Sequence, residues 1–317
     1  MLDAVQAPAV VQAVAAAALR GLLARPKSLP PMLFYDEEGC RLFGQITALP
    51  EYYLTRVETA LLAELAPAIG AAAPAGAALV EYGASREDKA ALLLPQLRAP
   101  RAYVPIDIAA PALQAIAARM AGGAVAVHPV AADFQAPLVL PAALDGVPRL
   151  GFFPGSTIGN LAPDAAVALL RQMRATLGAG ALLVVGADVR KDAAVLLPAY
   201  DDAAGVTAAF NRNVLTRLNR EAGADFDLAA FRHEARWNDA ASRVEMHLVS
   251  ERAQTRHVAG RAIRFAAGES IHTENSYKHT VAAFRAMAAA AGWRAAWSRT
   301  DAAGRFGVHL LQAPAGG

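Results

Sequence analysis

A chain of 317 residues is long enough for one large domain or two intimate ones, and 55% of it is hydrophobic, much of that alanine. A formal charge of +2, with arginines scattered along the chain, argues against a nucleic-acid tract, and no unbroken apolar run reaches membrane-spanning length. The single cysteine, Cys40, rules out an intramolecular disulfide and a cysteine metal cage, and is expected as a small buried hydrophobe.

The segment Ala4 to Leu23, interrupted by Gln6, Pro8, Gln12 and Arg20, reads as an amphipathic helix without the basic start and small-residue cleavage site of a leader, so a cytoplasmic protein is expected. From residue 77 strands and helices alternate. Strands are predicted at 77–82, 101–107, 124–128, 150–153 and 181–187, the last closed by Asp188. Helices are predicted at about 87–97, 113–120 and 163–177, the third opened by Pro163-Asp164. Units of this length imply a parallel, doubly wound α/β sheet covered on both faces. After Pro198 the rhythm changes. A helix at about 204–221 and two strand candidates, 242–250 and 255–265, suggest an inserted helix-plus-hairpin subdomain. A helix at 276–291 and strands at 294–298 and 306–311 then complete the sheet. The expected division is 1–58, an N-terminal segment joining a substrate domain; 59–196, the main α/β core; 197–277, the insertion; and 278–317, completion of the sheet.

The first three strands end near Glu81/Gly83, Asp107 and Asp133. A glycine after the first strand admits close backbone approach, and an acid after the second suits the vicinal hydroxyls of a ribose. Asp133-Phe134 offers an acceptor for an adenine amine and an apolar face for its ring. No G-x-G-x-x-G or G-x-x-x-x-G-K-[ST] turn is present, and Glu87 and Asp88 would repel a phosphate. A nucleoside cofactor without phosphate fits best, which points to S-adenosylmethionine. After the fourth strand, the loop Gly155-Ser156-Thr157-Ile158-Gly159-Asn160 places a polar amide at a strand's carboxyl end, where open α/β sheets bind ligands; a plain turn capped by Asn160 is the alternative. The seven histidines show no HExxH or comparable ligand spacing, so no metal is expected.

Several segments carry a resemblance. They are Leu29-Pro30-Pro31 with Phe34-Tyr35-Asp36, Leu49-Pro50-Glu51-Tyr52-Tyr53 with Thr55-Arg56, the Gly155–Asn160 loop, Tyr200 to Thr207 running to Phe210-Asn211, and Thr273-Glu274-Asn275-Ser276. With them the sequence resembles the L-histidine Nα-methyltransferases that make hercynine on the way to ergothioneine. The resemblance runs from about Leu29 to Lys278. It implies a class I, Rossmann-like S-adenosylmethionine-dependent methyltransferase sheet with an inserted α+β substrate-binding domain. It also implies a cofactor site from Gly83, Lys89, Asp107, Asp133 and Phe134, with Tyr52 near both ligands. Gly155, Asn160 and Tyr200 would hold the amino acid's carboxylate and amine. Glu274 and Ser276 would face the imidazole, Met246 would line the pocket, and Tyr35 would sit near the amine. Free L-histidine would be the small-molecule partner of a monomer. The chain departs from the family's E-L-G-x-G-like turn, with Tyr82 at an apolar position and Ser85 at the second glycine.

On the residues alone, Glu274 also suits a solvated carboxylate at a helix start, Lys89 a solvated helix residue, and Met246 and Tyr52 core packing. Two rival functions stand beside histidine methylation: N-methylation of another amino acid such as a tryptophan derivative, and a catalytically silent cofactor-binding module. A buried carboxylate with Ser276 favours an imidazole over an indole, and the presence of Asp107 and Asp133 speaks against the silent module.

Overall fold

The computed structural model describes residues 3–315, with side chains described from residue 12 onward. It divides into two compact units. One comprises the chain up to Tyr53 together with Lys191–Ser276; the other comprises Leu54–Arg190 and the chain from Tyr277 onward.

The second unit is built on an eight-stranded sheet. Ala78–Tyr82 lies at its centre, parallel to Ala102–Asp107 on one side and to Arg149–Phe153 on the other. Leu182–Asp188 continues in parallel beside Arg149–Phe153. Phe306–Gln312 joins antiparallel, and Arg294–Thr300 forms the edge beyond it. Chain order reverses between Ala78–Tyr82 and Arg149–Phe153, so the crevice outside the carboxyl ends of these strands is the switch point where such sheets take ligands. The central strand is buried at every position, as expected where helices cover both faces. Leu79 packs with Leu61, Leu62 and Ile69 of the helix Tyr53–Ala72. Val80 and Tyr82 pack on the other face with Leu169, Leu170 and Met173. Those three residues share a helical face with Ala166 and Leu177 in Pro163–Leu177.

The first unit holds a four-stranded sheet in the order Lys27–Ser28, Ser270–Tyr277, Arg243–Ser250, Phe231–Asn238. The helix Val206–Glu221 packs against this sheet and against Glu37–Ile46, burying Phe210, Val214, Leu215 and Leu218, with Phe210 stacked on Phe34. Glu37–Ile46 is capped by the Asp36 carboxylate, which accepts from Gly39 N–H.

Several expectations are corrected. The strand Phe231–Asn238 was not anticipated, although Phe231, His233, Ala235 and Trp237 alternate with Arg232, Glu234 and Arg236 in the period-two pattern of a half-buried strand. The expected strand 255–265 is a hairpin, Gln254–Val258 and Arg261–Phe265. Its two-residue turn, Ala259-Gly260, has φ of 46° and 74°, the doubly positive pattern of tight hairpins. The helix expected from Ser276 begins at Val281, where the Thr280 hydroxyl accepts from Ala283 N–H; Thr273 to Ser276 lie on a strand. The helix at 87–97 shrinks to Ala90–Leu93 and a single 3₁₀ turn, Leu94–Gln96, and the strand at 124–128 to Ala126–Val127. Cys40 is exposed, because Gly39, Leu42 and Ile46 form the buried face of its helix and Cys40 points off it. No helix among the described residues is long and apolar enough to cross a membrane.

Candidate functional site

In the sheet unit, the switch point is framed by two glycine turns. Gly83, at φ 77°, donates to the carbonyl of Ile106 at 2.8 Å, which ties the turn to the neighbouring strand. A Cβ there would meet the Phe134 ring at 3.6 Å, so Phe134 stands over the turn, edge-on to Tyr82 and Phe153. Asp107 ends the next strand, and its carboxylate accepts from Ala109 N–H at 2.8 Å; burial pushes its pKa above the ordinary value. Asp133 is exposed and bonds Gln135 N–H at 2.8 Å, closing an Asx turn that presents Phe134. Tyr82 takes its apolar position as a buried ring, and its hydroxyl has no hydrogen-bond partner among the described residues.

The loop Gly155–Asn160 is pinned at each step. Ser156 sits at φ 56°, and its buried hydroxyl accepts from Asp188 N–H at 2.9 Å. Thr157 Oγ1 donates to the Pro154 carbonyl, and Gly159 N–H to the Ser156 carbonyl. Gly159 is required for close packing, since a Cβ would lie 2.8 Å from the Tyr277 carbonyl oxygen. Asn160 therefore leaves a rigid turn half-buried.

Glu58 was missed from the sequence. It lies on the buried face of Tyr53–Ala72, fully buried, and both carboxylate oxygens accept from Gly155 N–H at 2.8 and 2.9 Å. The ammonium of Lys89 pairs with the same carboxylate. A Cβ on Gly186 would overlap that carboxylate, so glycine is needed there. Lys89 is thus held beside the Gly155 turn rather than solvated. The signal available was a glutamate on a helix stripe otherwise formed by Leu54, Val57, Leu61 and Leu62.

Glu81 is fully buried beside this pair. Burial pushes its carboxyl up to about 7, against a 2.5 Å hydrogen bond from Tyr103 and the charge of Lys89. Between about pH 4.5 and 7 the native state keeps a proton that the unfolded chain has lost, so folding stability falls as pH rises through that window and is level above it. Glu81→Gln is expected to remove this slope, up to about 3 kcal/mol. Urea midpoints at pH 5 and 7.5 check it, and an unchanged slope would refute the assignment.

In the other unit, Tyr200 Oη and Ser276 Oγ are 2.8 Å apart and both buried. His233 locks this pair from behind. Its Nε2 donates to the Tyr200 carbonyl at 2.8 Å, and its Nδ1 accepts from Asn211 Nδ2 at 2.8 Å. Burial lowers the His233 pKa, keeping the ring neutral in that tautomer. Thr273 Oγ1 donates to Asn211 Oδ1 at 2.8 Å and lies 3.0 Å from the Met246 carbonyl. Met246 is buried. Tyr52 sets its ring edge-on to Tyr200 and to Phe43, and Tyr35, more exposed, lies edge-on to Phe43 and Phe210. Glu274 lines a cavity of about 430 Å³ with Arg20, Ser28, Pro30 and Asn275, whereas Ser276, Tyr200 and Met246 are not in its lining. Asn211 and Thr273 fall inside segments that carry the resemblance, but their link to His233 was not legible, because the three meet across a helix and two strands.

A parallel sheet with one antiparallel strand, a glycine turn at its switch point and an acid at the end of the adjoining strand define a class I S-adenosylmethionine-dependent methyltransferase. The fold agrees with that of an S-adenosylmethionine-dependent methyltransferase from Clostridium acetobutylicum, with a TM-score of 0.52 at 9% identity, covering 86% of this chain and 98% of that one. A histidine N-alpha-methyltransferase from Mycolicibacterium smegmatis is 44% identical over 303 residues, 92% of each chain. The ergothioneine biosynthesis protein 1 of Neurospora crassa is 30% identical over 208 residues, covering 62% of this chain and 23% of its own length. Residues 14–313 match the model of the S-adenosylmethionine-dependent, histidine-specific methyltransferases, and the chain belongs to that family.

Proposed function

We propose that this chain transfers three methyl groups in succession to the α-amino group of L-histidine, giving hercynine, the first step of ergothioneine biosynthesis. The names of the M. smegmatis and N. crassa relatives support the position of methylation and the pathway. The structural observation that carries the reading is the buried Tyr200–Ser276 hydroxyl pair, fixed by neutral His233, on the strand that also bears Glu274.

S-adenosylmethionine supplies an electrophilic methyl group on a sulfonium. Gly83 leaves backbone room for it, Phe134 gives its adenine a face, and Asp107 gives its ribose an acceptor; Asp133 and Lys89 complete the polar contacts. The glycine turn, the ring above it and the half-buried acid fit such a nucleoside. Asn160 and Gly155 in the sheet unit are assigned to the amine of histidine and Tyr200 in the other unit to its carboxylate, each through neutral groups. Tyr35 orients the amine; with an ordinary pKa near 10 a tyrosine is a poor base, so the proton leaves to solvent before transfer. Tyr52 offers an aromatic face to the growing ammonium. Met246 fills the apolar side of the imidazole, and Glu274 with Ser276 reads its ring nitrogens.

A charged acceptor to an N–H contributes roughly 1.5–3 kcal/mol, against about 0.5–1.5 for a neutral bond. Glu274→Ala is therefore expected to lower kcat/KM for histidine roughly 10- to 100-fold while leaving S-adenosylhomocysteine affinity unchanged. Isothermal titration and initial rates check this, and equal loss of both would remove Glu274 from its role. Mass analysis of products from the twenty amino acids tests the function itself. The expected result is up to three methyl additions on the histidine α-nitrogen; products on another amino acid, or on the imidazole, would overturn it.

A further inference from the structure

Glu245, His247 and His272 show no ligand spacing in the sequence, yet they converge on one face of the four-stranded sheet. Met246 and Thr273 are tied to each other and to Asn211 of the covering helix. Side chains alternate along strands, so Glu245, His247 and His272 point to the opposite face. One ligand atom from each of the three lies within 4.8 Å of the others. We propose that they form a binding site for a divalent transition-metal ion of the Zn²⁺ type.

The argument rests on what holds each donor. Glu245 Oε1 accepts from Asn238 Nδ2 and Arg243 Nε, each at 2.8 Å, which leaves Oε2 directed at His247 Nε2, 3.1 Å away. His247 Nδ1 is braced by Ser270 Oγ at 3.1 Å, and a hydroxyl serves either tautomer of the ring. His272 Nε2 bonds the Glu274 carbonyl at 3.0 Å. A carbonyl only accepts, so that nitrogen carries the proton and Nδ1 is the acceptor of the ring, a ring that the Asn275 side chain also bonds. Each ligand has its far atom fixed by an oxygen, an amide or a guanidinium, the pattern that outer partners give metal ligands, while Glu245 Oε2 and His247 Nε2 share one proton that the ion would displace. Two imidazoles and one carboxylate suit borderline ions such as Zn²⁺, with water in the fourth position. The two rings stack with centroids 5.0 Å apart and planes 19° from parallel; because each nitrogen's lone pair lies in its ring plane, bonds of about 2.0–2.2 Å to one ion need the His272 ring to turn out of the stack. The nearby Arg236 guanidinium is paired with Glu234, whereas Arg243 pairs with Glu245 itself, so the ion shares that carboxylate, Oε1 staying with Arg243 and Oε2 turning to the metal.

Methyl transfer to an amine needs no Lewis acid. The ion would instead clip Arg243–Ser250 to Ser270–Tyr277, the strands that carry Met246, Glu274 and Ser276. The test uses Zn²⁺ alone, titrated into the full chain against a chromogenic chelator. One ion per chain is expected. His272→Gln and His247→Gln should each weaken binding at least ~10-fold, with the exposed His257→Gln unchanged as control. Zn²⁺ should raise the Tm of the wild type and not of these variants. Because a variant can misfold, Co²⁺-loaded wild type gives a second measurement: intense tetrahedral d–d bands support the site. Equal zinc retention by wild type and His272→Gln, loss of retention in His257→Gln, or only the weak spectrum of hydrated Co²⁺ would each overturn it.

Discussion

Glu58→Ala is expected to destabilise the sheet unit by about 3–5 kcal/mol, the range for breaking a buried ion pair from one side. In a unit of this size that lowers Tm by roughly 10 °C. The loss has three parts. Lys89, with 20% of its side chain exposed, loses its counter-charge. The Gly155 N–H loses its acceptor at the base of the Asn160 loop. The space that Gly186 leaves for the carboxylate becomes a void between helix and strand. The last two consequences separate stability from function: Glu58→Gln keeps the volume and one acceptor, so it should recover most of the Tm. It cannot anchor Lys89 by charge beside the Gly155 turn, so the ammonium is left free to swing away from the cofactor and affinity should stay depressed. Calorimetry with and without S-adenosylhomocysteine checks both, and a Tm within about 2 °C of wild type for Glu58→Ala would refute the claim.

The sheet was legible because its signal is local. Continuous apolar runs bounded by glycine or aspartate mark parallel strands, and the Pro163–Leu177 helix has its boundaries written into Pro163 and Gly178. The positions of Gly83, Asp107 and Phe134 were legible for the same reason, since each sits at or just past the carboxyl end of a strand. Tertiary context overrode local propensity at Thr273-Glu274-Asn275-Ser276. Those residue types start helices, but pairing with Arg243–Ser250 draws them into a strand, and the true cap lies at Thr280. That removes the helix-start account of Glu274. Long-range polar pairs were not legible at all. Glu58 and Lys89 are 31 residues apart, and Asp188 pairs with Lys278 at 2.7 Å, both fully buried. No pattern in a sequence announces which charge will find which partner. The triad Glu245, His247 and His272 belongs to this class, and its spacing matches no known ligand motif.

The second large effect concerns Asn160, and it turns on charge. Asn160→Ala should leave the fold intact, because the turn is held by Ser156, Thr157 and Gly159 through backbone partners that do not involve the Asn160 side chain. If Asn160 orients the amine, its loss lets the lone pair drift, and a misplacement of about 1 Å costs on the order of 100-fold in kcat. Asn160→Asp is the sharper test, since it preserves shape and adds a negative charge. A carboxylate beside an amine favours the ammonium, which has no lone pair to give, and it repels the substrate carboxylate. The aspartate variant should therefore be slower than the alanine variant at pH 7.5. It should recover as pH rises toward 10 and the ammonium deprotonates, while the alanine variant stays uniformly low. Initial rates with labelled methyl donor from pH 7 to 10 decide the matter. Equal activity of Asn160→Asp and wild type at pH 7.5 would show that the amide does not touch the reacting amine.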